Sequence, residues 1–252
     1  MRTTELRRVA ALYDVHGNLP ALDAVLAAVD AAAVDAVVVG GDVVPGPMPR
    51  ETLDRLLALG PRAHLIRGNT DRLTVDAFDG RPLPARLPPP VPEQLAWCAA
   101  QLDRAHRDVL AALPLTLSLP VHGLGDVLFC HASPRDDDEI FTVRTPAERV
   151  RPLLAGVTAR VVVCGHTHMQ FDRTVDDVRL LNAGSVGMPF GRPGAYWLLL
   201  ASDITPMRTD YDLAAAAERV RHTAYPQGAE WAARYLLDPP GEEQMLAAFD
   251  RA

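Results

Sequence analysis

Val9-Ala10-Ala11-Leu12-Tyr13-Asp14-Val15-His16-Gly17-Asn18 is the stretch on which the fold turns. Its four leading apolar residues read as a buried strand. A helical pattern follows from Leu19 to Ala33, with Leu22, Val25, Leu26 and Val29 on one face. Asp14 and His16 therefore stand where a strand ends and a helix begins, the edge of an α/β sheet at which chemistry gathers. Alone, the stretch would serve equally well as an Asx-type turn with a surface histidine. It does not stand alone, because an apolar run followed by a ligand-type residue returns four more times.

Ala36-Val37-Val38-Val39 reads as a buried parallel strand and ends in Gly40-Gly41-Asp42. The glycines let the chain turn sharply and deliver Asp42 at the strand end. A strand over residues 63–67 ends in Gly68-Asn69-Thr70-Asp71. A hairpin over 115–130 exits into His131. Arg160-Val161-Val162-Val163-Cys164 runs into Gly165-His166-Thr167-His168. Further strands are expected over 171–174, 178–182, 196–201 and 205–209, with helices over 50–59, 93–113 and 146–155. Asn182-Ala183-Gly184-Ser185-Val186-Gly187 forms a small-residue loop.

We expect one domain over residues 1–252. A Pro-rich and helical insertion at about 80–113 either caps the site or forms a mobile loop over it. A helical tail at about 212–252 either packs on the domain or mediates homo-oligomerisation. There is no solenoid repeat.

Composition removes several classes of function. A net charge of -7 offers no field for long nucleic acid. All 25 cationic side chains are arginine, so neither a Schiff-base lysine nor a Walker lysine is available. Cys98, Cys130 and Cys164 are an odd set without close pairing, which argues for a reducing compartment. Cys130 and Cys164 stand beside histidines, but their spacing matches no zinc-knuckle pattern. With no signal-type core at the N-terminus and no stretch long enough to span a bilayer, the expectation is a cytoplasmic protein without membrane association.

The strand ends together present two aspartates, one asparagine and four histidines: Asp14, His16, Asp42, Asn69, His131, His166 and His168. Mixed nitrogen and oxygen donors suit first-row divalent ions such as Mn, Fe, Ni, Co or Zn. Seven donors are too many for one tetrahedral ion and suit two ions sharing a carboxylate. Such a pair can hold a hydroxide and clamp a phosphoryl oxygen for in-line attack on a phosphate ester. His166 and His168, two residues apart after a strand, can point to opposite sides, one toward each ion.

The order Asp14-x-His16, Gly41-Asp42, Gly68-Asn69, His131 and Gly165-His166-Thr167-His168 resembles the calcineurin-like metallophosphoesterases over about residues 8–210. Within them it is most similar to the small bacterial and archaeal phosphodiesterase branch. The resemblance implies an α/β fold with mixed sheets, a four-layer αββα sandwich with the dinuclear site at one edge. It implies Asp14, His16 and His168 on one ion, Asn69, His131 and His166 on the other, and Asp42 bridging, with Asp42, Asn69 and His131 counted as catalytic.

One position departs from the family. Many members follow the ligand asparagine with a histidine that protonates the leaving group, and here Thr70 stands there, followed by Asp71. A threonine hydroxyl is a poor acid at neutral pH, so esters with good leaving groups are favoured. Asp71 is expected either to cap the next helix or to hold a water near the leaving group. Arg67, Thr70 and Arg135 are candidate substrate contacts, the arginines because a guanidinium fork suits phosphate oxygens. His64, His106 and His222 are read as structural. The expected activity is manganese-type, metal-dependent hydrolysis of a small phosphodiester, with nucleotides among the candidates. Alternatives are a phosphomonoesterase, a dinucleoside-polyphosphate hydrolase, or a non-catalytic scaffold of the same fold.

Overall fold

The computed structural model describes residues 5–251, so the reading of the first four residues lies outside it. The chain runs β1 (Val9–Leu12), α1 (Leu19–Ala31), β2 (Ala36–Val39), α2 (Pro49–Leu57), β3 (Ala63–Leu65), α3 (Asn69–Phe78), α4 (Pro90–Gln101) and α5 (Arg104–Ala112). It continues through β4 (Thr116–Val121), β5 (Gly125–Cys130), α6 (Ala147–Val150), β6 (Val161–Cys164), β7 (Phe171–Val175) and β8 (Val178–Asn182). It ends with β9 (Ala195–Leu200), β10 (Ile204–Thr209), α7 (Leu213–Arg221), α8 (Gly228–Ala232) and α9 (Glu242–Phe249).

Two five-stranded mixed sheets form, in the orders β10-β9-β1-β2-β3 and β4-β5-β6-β8-β7. Strands β1, β2 and β3 are parallel to one another, as are β5, β6 and β8. The carboxyl ends of each set therefore share one edge.

Side-chain alternation builds the layers. Val9, Ala11, Tyr13 and Val38 face the second sheet and meet Val127, Phe129, Val163 and Leu181 there. Ala10, Leu12, Val37 and Val39 face outward and pack against the helices, among them Leu22, Val25 and Leu26 of α1. The outer face of the second sheet carries a smaller core of Val150, Val162, Cys164 and Leu180. The result is the expected αββα sandwich, with a thin fourth layer. The helix expected over 146–155 is only α6 followed by a 3-10 turn, Arg151–Leu154. Pro152 has no amide hydrogen for the next i→i−4 bond.

The single helix expected over 93–113 is two helices. Asp103 adopts an extended backbone, and its carboxylate accepts from His106 N at 3.1 Å, starting α5 afresh. His106 in turn reaches Asp54 on α2, 2.9 Å away, which is a structural task. The tail packs on the domain: Ala216, Val220, Tyr225, Trp231 and Leu236 join the core outside the first sheet. Among the described residues no helix is long and apolar enough to cross a membrane.

Candidate metal centre

Convergence of the two sheet edges begins with Tyr13, whose buried hydroxyl donates to Val163 O of β6 at 3.0 Å. The loops beyond the strands then interlock through their backbones. Asp14 N donates to Gly41 O, His16 N to Asp42 O and Gly165 N to His131 O. Ser185 Oγ donates to Asp14 O and accepts from Met188 N. Asn182 donates to Gly165 O and accepts from Gly184 N. The small-residue loop is thus the brace that holds the Asp14 and His166 turns in place.

These loops bring all seven donors together. In one group Asp14, His16 and His168 place ligand atoms within 4.8 Å of one another, and in a second group Asp42, His131 and His166 do the same. Asp42 faces both, with Oδ2 3.7 Å from His16 Nε2 and Oδ1 3.5 Å from His131 Nε2. Asn69 opens α3 and joins the second group through Oδ1, 3.1 Å from His131 Nε2. Three histidines are fixed by donating Nδ1–H to backbone carbonyls: His16 to Pro45 O, His131 to Gly40 O and His168 to Met188 O. With Nδ1 committed to the backbone, each Nε2 is aimed into the cluster, the arrangement a metal-binding imidazole needs once Nε2 gives up any proton it carries.

Backbone strain is concentrated here. Among the described residues eight non-glycine residues have positive φ, and five of them are donors: Asp14, His16, Asp42, His166 and His168. Each costs roughly 1 kcal/mol in the left-handed region, so the turns are held by the interlocked backbone bonds rather than by local preference. Gly68 is required for another reason. Its φ is ordinary, but a Cβ there would lie 2.1 Å from Asp42 Oδ1.

Charge in the cluster is organised around the two carboxylates. Burial pushes Asp14 and Asp42 up, yet His168 beside Asp14 and His131 beside Asp42 hold both below the ordinary carboxylate range. Burial likewise opposes charge on His131, but Asp42 outweighs it and the imidazole rises to about 10. His16 and His166 fall to about 4, through burial and then through His168 and His131 respectively. Asp14 Oδ1 is buried without a hydrogen-bond partner, and His16 Nε2 meets His168 Nε2 at 3.1 Å. An orphaned carboxylate oxygen and facing imidazole nitrogens are what a divalent cation would satisfy. The residues present therefore fit two such ions.

The candidate substrate arginines are otherwise engaged. Arg67 Nε donates to Asp137 at 3.0 Å, and Arg72 forks onto the same carboxylate. Arg135 is bound to Glu139 in a separate cleft with Ile140, Thr145 and Arg149. Thr70 does stand at the site: its amide donates to Asp42 Oδ1 at 2.9 Å, and its buried hydroxyl has no partner. Asp71 caps α3, accepting from Gly68 N, and also accepts from Val43 N and Val44 N, tying the Asp42 loop to the Asn69 loop. Burial and then the Asp42 charge push its carboxyl up to about 7. The three thiols are buried and free, outside both donor groups.

Two further residues belong to the site. Asp138 accepts from Asn69 Nδ2 at 3.1 Å, which turns Asn69 Oδ1 toward His131, and it is also bound by Arg86 of the Pro-rich segment. Phe190 stacks on His168 with ring centroids 5.2 Å apart.

Residues 8–203 match the calcineurin-like phosphoesterase superfamily domain. The chain belongs to this superfamily. No protein of curated function matches the sequence. A metallophosphoesterase from Sphaerobacter thermophilus is similar at 26% identity, with a TM-score of 0.71 over 90% of this chain and 98% of that one. A hypothetical protein from Pyrococcus horikoshii superposes at a TM-score of 0.76, with 20% identity over 91% of this chain and 98% of that one. Vps29 from Chaetomium thermophilum shares the fold at a TM-score of 0.50, with 13% identity, 82% of this chain and 91% of that one covered.

Proposed function

We propose that this protein is a metal-dependent phosphodiesterase acting on a small organic phosphate diester. One observation carries the reading: all seven donors are present and aimed inward, with Asp42 facing both groups. A scaffold of the same fold would have no use for three histidines locked by Nδ1 with their Nε2 atoms converging. Asp14, His16 and His168 would hold one divalent ion, Asn69, His131 and His166 the other, and Asp42 both. When bound, such ions supply Lewis-acid activation of water and neutralise charge on the phosphoryl group.

The chain's own residues do the rest. The interlocked turns preorganise the donors, and Asp138 keeps Asn69 in its working orientation. Thr70 Oγ1, buried and without a partner, is a hydrogen-bond donor for a bound ester oxygen rather than a proton source at neutral pH. Diesters with good leaving groups follow from that chemistry. The deciding experiment is hydrolysis of bis-p-nitrophenyl phosphate beside p-nitrophenyl phosphate, by chelator-stripped protein with Mn²⁺ or Ni²⁺ restored. Diester turnover well above monoester turnover is expected. The reverse order would make the protein a monoesterase, and inactivity of folded, metal-loaded protein would favour a scaffold.

A further inference from the structure

A cavity of about 410 Å³ opens beside the donors, with His16, Thr70 and Met188 at its inner end. Its walls come from two places far apart in sequence. Pro88, Val91 and Leu95 belong to the Pro-rich segment and α4, while Tyr225, Trp231 and Tyr235 belong to the C-terminal tail. The tail lies beyond the matched superfamily domain, which ends at residue 203. We infer that this cavity receives a flat aromatic group of the phosphate ester, of nucleobase size, and that the Pro-rich segment and tail together set the substrate range. The inference rests on the phosphoesterase reading of the adjoining donors.

Three observations support it. The walls are apolar and aromatic: Tyr225, Trp231 and Tyr235 form a chain of edge and tilted contacts with centroids 5.7 to 6.3 Å apart. Such a wall favours a flat π-surface over a sugar or a charged headgroup. The cavity also falls in the size range of small-molecule sites, with few polar groups to fix orientation. Besides His16 and Thr70 at the inner end, Gln94 and Arg234 supply them, the Arg234 guanidinium 5.6 Å from the Tyr235 ring centroid and in no ion pair among the described residues. Finally, Arg234 and Tyr235 sit in a π-helical turn, Ala233–Leu237, closed by Asp238 N donating to Ala233 O at 2.9 Å. One extra residue in a helical turn is a device that recurs at functional sites.

The test uses the metal-loaded protein and three monophosphates as competitors of bis-p-nitrophenyl phosphate hydrolysis: methyl phosphate, phenyl phosphate and adenosine monophosphate. The aromatic competitors should inhibit about tenfold or more tightly than methyl phosphate, the worth of one stacking contact. Tyr235→Ala should remove most of that preference while leaving methyl phosphate inhibition within about twofold. Gln94→Trp, which fills the cavity from its partly exposed wall, should do the same if Tyr235→Ala proves poorly folded. An advantage of the nucleotide over phenyl phosphate would assign the cavity to a nucleobase, and parity would assign it to aryl groups generally. Equal inhibition by all three, or a preference that survives both variants in folded protein, overturns the inference. Absence of diester hydrolysis would instead defeat the phosphodiesterase reading, and calorimetric titration with the same three compounds would still decide the cavity.

Discussion

Replacing Gly68 by alanine separates site geometry from fold stability. Gly68 has φ −95°, so alanine meets no backbone penalty there. The added methyl would lie 2.1 Å from Asp42 Oδ1 and 2.3 Å from Asp42 N, against 3.4 Å for ordinary contact. The carboxylate could rotate away, but the backbone nitrogen could not, so the Asp42 and Asn69 loops must part by about 1 Å. Overpacking of this kind costs about 1–3 kcal/mol, or roughly 2–10 °C in Tm at this chain length. The larger effect is on the site. Ligand distances must hold within about 0.2 Å, so a shift of about 1 Å between Asp42 and Asn69 should weaken binding at the shared ion by tenfold or more. Hydrolysis should fall about 100-fold. Gly60→Ala is the control: φ is +58°, nothing lies within 4 Å, and about 1 kcal/mol of stability should be lost with no change in turnover. Calorimetric Mn²⁺ titration, thermal melts and diester turnover read the three effects. A Gly68→Ala protein with wild-type metal affinity and activity would refute the claim that this contact sets the spacing of the two loops.

Asp42→Asn should abolish metal-dependent turnover in a folded protein, since one carboxylate faces both donor groups; retained Mn²⁺-dependent hydrolysis would contradict the shared mechanism. Asp138→Ala removes the acceptor that orients Asn69 and should cost about 10–100-fold in metal affinity, read by competition with a chelator, whereas Asp138→Asn, which keeps an amide oxygen as acceptor, should recover part of it. Asp137→Asn should destabilise by about 1–3 kcal/mol, because Arg67 and Arg72 lose a shared, largely buried carboxylate. Burial pushes Asp137 up, but Arg72 and then Arg67 outweigh it and hold its folded pKa below the ordinary value. Its contribution is therefore present above the unfolded pKa of about 4 and lost as pH falls through the lower folded value. Wild-type and variant melting temperatures should converge only below about pH 4, and a gap that persists unchanged in stronger acid would contradict the ion-pair account.

Most of the donors could be read in order from sequence because they follow short apolar runs, and a buried parallel strand places a polar residue at its end; Asn69 follows the half-buried β3, which itself carries His64. Arg67 and Arg135 show the limit of that reading. Phosphate-suited chemistry marked them, yet their partners, Asp137 and Glu139, lie in a charged loop whose folding no periodicity announces. Asp138 escaped for the same reason: within Asp136-Asp137-Asp138 nothing local tells the residue that orients Asn69 from its neighbours. The break between α4 and α5 was hidden by continuous helical spacing, although Asp103 three residues before His106 is a capping signal in plain view. The cavity was beyond reach altogether, because Leu95 and Tyr235 share a wall only after two segments 140 residues apart pack together.

The placement of glycine against donor in the turns has a physical logic that links fold to chemistry. Asp14, His16, Asp42, His166 and His168 all take left-handed backbone that glycine would adopt at lower cost. Glycine does occupy the neighbouring positions: Gly17 and Gly41 are also left-handed, while Gly68 and Gly165 would each bring a Cβ against Asp42 or Asp14. In the turns around the site the chain thus uses glycine where only conformation or space is needed. Within them it accepts strain where a donor atom must sit in the turn itself; the other left-handed non-glycine residues among those described, Ala33, Asp176 and Gln227, are not donors. A scaffold that had lost its chemistry would be free to relax those five positions, since the sheets pack through Tyr13, Val38, Phe129 and Val163 without them. Persistence of the strain at the donors, rather than the fold as such, is the structural argument that this member of the superfamily is built to hold metal.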